Sequence, residues 1–263
     1  MVFPRSRLGG AAGAAVVALA ASCRLIGPPP VVDPALANCV PADTLAVAGV
    51  DLDALRASAL YGRLGPAAAV LEPYREAGYA LFAYNGKDVL VVARGAFRAA
   101  PPGAVLLAKG LAVSGSPEAV RAAVAQRKTG ATGAPWLLDR AAEAGRFGQI
   151  WAVARGGGAL GLPGNAANLS RLLSLTEYST FAAKFGDGLE FRVAGVAHDA
   201  AGAQRLEENL RALVSLALLG AARNPALSAP LRAFQVSREG SVVHVALSAM
   251  PEEAAALFGL AAR

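Results

Sequence analysis

From residue 44 onward the chain alternates short unbroken apolar runs with spaced apolar stripes, punctuated by Gly, Pro, Asn and Asp, so strands and helices are expected in turn. Residues 45–50 (Leu-Ala-Val-Ala-Gly-Val) form a buried-strand run. Asp51 and Asp53 end it, and Asp53 is placed to cap a helix expected over 54–77, with breaks open at Gly62 or Gly65-Pro66. Strands at 79–84 and 88–94 are joined by Asn85-Gly86, a strong hairpin signal. A second hairpin spans 104–115 with its turn at Lys109-Gly110. Ser116-Pro117-Glu118 then opens a helix to about residue 127, with Ser as N-cap and Pro at the first helical position.

After a Gly- and Pro-rich connection (129–135) and a short bridging helix (136–144), the pattern begins again. A strand is expected at 150–155, a helix at 165–178, and a hairpin at 181–196 turning at 186–188. In the second arm of that hairpin Leu189, Phe191 and Val193 alternate with Glu190 and Arg192, so one face is apolar and the other wet. Asp199 caps a long helix over 200–222 with an apolar stripe of Leu206, Leu210, Leu213, Val214 and Ala217, ended by Asn224-Pro225. A last hairpin at 234–248, turning at Glu239-Gly240, leads into a terminal helix starting near Pro251.

The segments 109–119 and 239–253 share turn, strand, Pro and acidic helix start, which reads as an internal duplication. Hairpins covered by helices make the expected class α+β: two similar halves of antiparallel hairpins packed against helices and sharing a continuous sheet or a tight interface. The expected divisions are a signal peptide (1–22), a Pro-rich tether (23–43), a first half (44–128), a linker with the bridging helix (129–149) and a second half (150–263).

The leader changes the picture of where this body resides. Arg5 and Arg7 precede an Ala/Gly/Val-rich run over 8–21, about 14 residues, which matches a secretory h-region and is short of the ~20 needed to span a bilayer. Leu19-Ala20-Ala21-Ser22-Cys23 resembles the lipobox of bacterial lipoproteins, with Leu one residue further upstream than the best examples. That resemblance implies cleavage before Cys23 and acylation of Cys23. A plain signal peptide or an uncleaved anchor are the alternatives. Each buried methylene of an acyl chain contributes about 0.8 kcal/mol, so two or more chains would hold the body at a membrane. Arg24 in place of an acidic retention residue points to the outer membrane in a two-membrane cell. The triple proline 28–30 and Pro34 favour an extended tether.

Composition adds exclusions rather than chemistry. Ala and Gly supply much of the 55% hydrophobic content, and no second segment is suited to span a bilayer. Without residues 1–22 the body carries 23 basic and 19 acidic residues, and 21 of the 25 basic residues in the whole chain are Arg. They are scattered, which argues against a nucleic-acid footprint. Cys39 is a lone thiol if Cys23 is acylated; otherwise the two could close a short loop. No Cys-x-x-Cys or His-x-x-x-His spacing occurs, so neither a metal nor a cofactor is expected.

Four tempting patterns fail on context. Gly156-Gly157-Gly158-Ala159-Leu160-Gly161 is a G-x-G-x-x-G after a strand, but Leu162-Pro163-Gly164 separates it from any helix and no parallel crossover follows. Asp51-x-Asp53 would open a calcium loop only with an oxygen ligand, a Gly and a Glu at positions that hold Leu55, Arg56 and Gly62. His198 and His244 are the two histidines, and neither Gly-x-Ser-x-Gly nor Ser-x-x-Lys occurs, so no hydrolase triad is expected. The apolar segment 212–219 exceeds a single stripe because Leu216, Leu218 and Leu219 lie off it. Burial between the halves is expected, or else a groove for a lipid tail or a partner.

With the segments 92–95 (Val-Ala-Arg-Gly) and 115–120 (Gly-Ser-Pro-Glu-Ala-Val) as its marks, the body resembles uncharacterised exported bacterial proteins built from repeated strand-helix-hairpin units. This resemblance brings no catalytic residues. The expectation is a membrane-tethered, non-enzymatic binding or structural domain of the cell envelope, with a protein or lipid partner. The alternative is a periplasmic carrier of a hydrophobic ligand, its cavity lined by Leu213, Leu216 and Leu219.

Overall fold

The two apolar runs that open the halves, β1 (Ala46–Asp51) and β6 (Ile150–Arg155), pair with each other, antiparallel from Ala46 opposite Ala154 to Val50 opposite Ile150. A computed structural model describes residues 32–63, 72, 74–157, 172–223 and 225–254. Outward from β1 lie β2 (Ala77–Tyr84), β3 (Val89–Gly95), β5 (Leu111–Gly115) and β4 (Ala104–Ala108). Outward from β6 lie β7 (Thr176–Phe185), β8 (Leu189–Ala197), β10 (Val242–Ala249) and β9 (Gln235–Glu239). The protein is therefore α+β, with one ten-stranded antiparallel sheet in which each half repeats the same strand order from the seam outward.

The seam depends on one residue without a side chain. Gly49 in β1 faces Trp151 in β6, and a Cβ at Gly49 would collide with the Trp151 indole and the Tyr79 hydroxyl. Trp151, 2% exposed, donates from Nε1 to Tyr79 Oη at 2.9 Å, so the two rings meet over the space Gly49 leaves. On this face Val47, Leu81, Val92, Trp151 and Val153 form one core with α1 (Pro34–Ala37), α3 (Pro117–Lys128) and α4 (Pro135–Ala144). The other face joins the halves as well. Leu55 and Leu60, following β1, pack with Ala183, Phe185, Leu189 and Leu247 from beyond β6. The Leu60 amide donates to the Gly186 carbonyl, and Arg63 pairs with Glu252 at 2.7 Å.

Several expectations need correction. Among the described residues, the helix expected over 54–77 is replaced by the short α2 (Leu52–Arg56) and a 3-10 turn at Tyr61–Arg63, with β2 taking over at Ala77; residues 64–71 and 73 lie outside the described residues. The cap of α2 is Asp51, whose Oδ1 accepts from the Ala54 amide at 2.9 Å, while Asp53 lies in the first turn against Arg56. Over its described part, residues 32–43, the expected tether is packed structure instead. Pro34 opens α1, Asp33 caps it through the Ala35 amide at 2.8 Å, and Leu36, Cys39 and Val40 enter the core. Proline at a first helical position starts a helix, and apolar residues at 32, 36 and 40 give that turn one buried side. The linker 129–149 also belongs to the core, with Leu137 and Ala141 fully buried in α4.

Of the helix expected over 165–178, residues 165–171 lie outside the described residues, Leu172 and Leu173 are helical, and the last three positions begin β7 instead. Pro225, read as a terminator, starts α6 (Pro225–Arg232) after α5 (Ala200–Gly220). Of the terminal helix, 251–254 is described. Both hairpins at 104–115 and 234–248, and the Ser116 and Asp199 caps, stand as read.

Two outcomes follow from the seam. Gly49→Ala lowers the unfolding free energy by about 1–3 kcal/mol in urea titration, because neither ring can withdraw from a packed interior. Burial pushes the Tyr79 phenol up to about 12, with Asp51 adding to the rise and the Trp151 hydrogen bond opposing it. A tyrosine in the unfolded chain ionises near ~10. The unfolded state therefore loses its proton first, and the stability Tyr79 contributes, complete below ~10, is lost as pH rises through about 12. Phenolate absorbance of wild type minus Tyr79→Phe reads that midpoint directly.

Candidate functional site

α5 begins as a packed helix and ends as an uncovered one. Asp199 Oδ1 accepts from the Gly202 amide at 2.6 Å, and Ala203 and Leu206 are buried against Ala197 and Val243, with Leu210 alongside. One turn on, Glu207 accepts from Arg238 of β9 at 3.0 Å and from Arg211 at 2.8 Å, and Arg211 reaches the Val236 carbonyl at 3.2 Å. Those contacts fasten the first half of the helix to the outer strands of the sheet.

Beyond Arg211 the helix is apolar apart from Ser215, whose hydroxyl donates to the Arg211 carbonyl at 2.9 Å. Val214 and Leu218 are half-buried, whereas Leu213, Leu216 and Leu219 are 43%, 63% and 74% exposed. Spaced by three residues, they share a side of the helix. Burial between the halves, expected from the sequence, does not occur. The halves join edge to edge through β1 and β6, so α5, which packs on β8, β9 and β10, lies far along the sheet from the first half. The same exposure places the three leucines on an open face, not around the enclosed cavity a lipid carrier would require. Between Asn209 and Arg238 the chain has no Asp or Glu and four Arg, at 211, 223, 232 and 238. The uncovered face is therefore apolar and carries no acidic residue of its own, and an apolar patch of this kind marks an interaction site.

The other singled-out residues separate. Cys23 lies outside the described residues. Cys39 is fully buried, its Sγ–H donating to the Ala35 carbonyl at 3.4 Å, and burial pushes its thiol pKa up despite the opposing Arg127 charge. A thiol raised in this way is a poor nucleophile. His198 follows β8 and His244 lies within β10 opposite Ala194 and Ser237; both are exposed. Neither forms an ion pair among the described residues, so the two do not assemble a triad. Asp51 and Asp53 serve α2 as cap and first-turn partner. Gly156 lies against the Thr176 carbonyl and Gly157 adopts φ +79°, and residues 158–161 of that glycine motif lie outside the described residues. Among the described residues no group of three or more His, Cys, Asp or Glu converges for a metal, and no helix is long and apolar enough to cross a membrane.

A cluster that the sequence reading passed over sits where α4 meets β6 and β7. The Arg140 guanidinium lies 3.7 Å from the centre of the Trp136 ring and 4.6 Å from that of Tyr178, and Arg155 lies 5.0 Å from the same Trp136 centre. Trp136 and Arg140 are four apart on one helix, a spacing that stacks a cation on the ring and was visible in the sequence. Tyr178 and Arg155 come from neighbouring strands, opposite each other in register, which sequence spacing does not disclose.

No protein-family model matches the chain, and no curated protein sequence matches it. Solved structures of the treponemal protein TP0453 are similar to it in fold. Crystal form III has a TM-score of 0.54 at 9% identity, covering 88% of this chain and 98% of that one. Crystal form I has a TM-score of 0.49 at 10% identity, covering 87% and 98%. At such identity the likeness establishes a shared fold and nothing about function.

The leucine face generates a direct check. Leu213→Gln, Leu216→Gln and Leu219→Gln together leave cooperative unfolding intact, each changing stability by no more than about 0.5 kcal/mol. Binding of the dye ANS falls with them. Loss of cooperative unfolding would mean these side chains pack against something.

Proposed function

We propose that this is a lipid-anchored protein exported to the cell envelope, with residues 1–22 removed, Cys23 acylated, and the folded body acting as a non-enzymatic binding domain. The observation that carries the reading is the uncovered apolar face of Leu213, Leu216 and Leu219, three exposed large apolar side chains gathered on one helix. Three leucines left in water lose burial worth about 1.5–3 kcal/mol each when fully covered, so a surface of this kind belongs to a chain that docks on something apolar. The partner is the apolar surface of another envelope protein or of the membrane.

The leader and tether support the anchor. A charged start, a run too short to span and small residues before Cys23 match an export signal, and Val32, the first described residue, is buried in the core nine residues after that cysteine. An extended chain of that length reaches roughly 30 Å, so the body works close to the bilayer it is tied to. A carrier role draws no support from the three leucines, because they face solvent.

Metabolic labelling with a palmitate analogue tests the anchor. Wild type incorporates label, and Cys23→Ala, otherwise expressed and exported, does not. Unlabelled wild type would refute acylation at this residue.

A further inference from the structure

Two guanidinium groups, Arg140 and Arg155, converge on one indole with no negative charge to balance them. Both lie within 5.0 Å of the centre of the Trp136 ring. No carboxylate is within ion-pair distance of either among the described residues, and Asp139, Glu143 and Glu177, their nearest acidic neighbours in sequence, form no ion pair there. The chain that follows β6 cannot supply one, because Ala144 to Thr176 contains no Asp or Glu. Like charges so placed repel, and the repulsion is stronger where water is partly excluded.

The cluster is also short of acceptors. Arg140 gives one nitrogen, Nη1, to the Trp136 carbonyl at 3.2 Å, while its buried Nε has no partner. Trp136 is the second residue of α4, a helix with no side-chain cap and no acid in its first turn, so the positive end of the helix dipole adds to the same corner. Trp136 and Tyr178, edge to face with ring centres 5.5 Å apart, both lie against the Arg140 guanidinium, whose Nη2 makes no hydrogen bond among the described residues and is left as a donor for an oxygen ligand.

We propose that Arg140, Arg155, Trp136 and Tyr178 form a binding site for a phosphate group. Two full positive charges and a helix terminus match a phosphate monoester more closely than a singly charged carboxylate, and a guanidinium fork presents paired donors to its oxygens. The phosphate comes from a free phosphorylated molecule or from a lipid headgroup. The site is independent of the leucine face and of Cys23.

Trp136 is a built-in reporter, since the other tryptophan, Trp151, is buried at the seam. The experiment titrates the mature protein with inorganic phosphate and, separately, with dihexanoyl phosphatidic acid below its micelle concentration. Acetate and chloride at matched ionic strength are the controls. Phosphate gives a saturable change in tryptophan emission that Trp136→Phe abolishes. Arg155→Gln, at an exposed position and with an unchanged circular dichroism spectrum, weakens binding about tenfold. Arg155→Lys, which keeps the charge and loses the fork, falls between. Tighter binding of the phosphatidic acid identifies a lipid source, and equal or weaker binding a free one. A response to acetate or chloride equal to that of phosphate, no saturable response, or unchanged affinity in Arg155→Gln would overturn the site. Lower stability of Arg155→Gln with no effect of phosphate would show that the stack is purely structural.

Discussion

The contact over Gly49 is the constraint on which the architecture rests. A large indole and a phenol can meet across the central strand pair only if the residue between them has no side chain. Trp151 then fills the middle of the core, and its N–H, which would be costly to bury unpaired, is satisfied by Tyr79. Around that point β1 and β6 pair directly, and the two halves become one sheet instead of two domains in contact. Packing on both faces repeats the message, because the helices and turns of each half share cores with strands of the other.

Joining the halves by their first strands decides what is left exposed. Each half presents its outermost hairpin to the ends of the sheet, and α5 covers only the outer strands of the second half. A 21-residue helix overruns the three-strand patch beneath it. Its first turns are held by Leu206 and by the Arg238–Glu207–Arg211 bridge, and its last turns carry leucines into solvent. Its bridge to Arg238 is half-shielded on the Glu207 side, and so more than an ordinary surface pair. The apolar face and the phosphate-binding corner proposed at Arg140 and Arg155 thus belong to one continuous sheet and its covering helices.

Much of the fold was legible because its signals are local. Asn85-Gly86, Lys109-Gly110 and Glu239-Gly240 each mark a hairpin turn, and Ser116-Pro117 and Asp199 each mark a helix start. The errors arose where local and distant demands differ. Residues 54–77 have helical composition, but Leu52 is claimed by one core and Leu55 and Leu60 by another, and the helix stops after five residues. Residues 32–43 read as tether because prolines dominate, whereas Leu36, Cys39 and Val40 fill a space that α3 and α4 leave open. The leucine excess of 212–219 was legible, but its exposure was not, since that depends on which strands join the halves. Trp136 and Arg140 carry a visible helical spacing; their strand partners Tyr178 and Arg155 meet them only through sheet register.

A single body fused at its centre makes a specific demand on how it opens. Native-state hydrogen exchange followed by mass spectrometry tests it most directly. Backbone amides of β1 and β6, such as those of Val47 and Val153, are expected to exchange slowest and at one common free energy equal to that of global unfolding. If the strands of one half exchanged at a distinctly lower free energy while β1 and β6 separated with them, the halves would be independent units in contact, and the seam would not be what unites them.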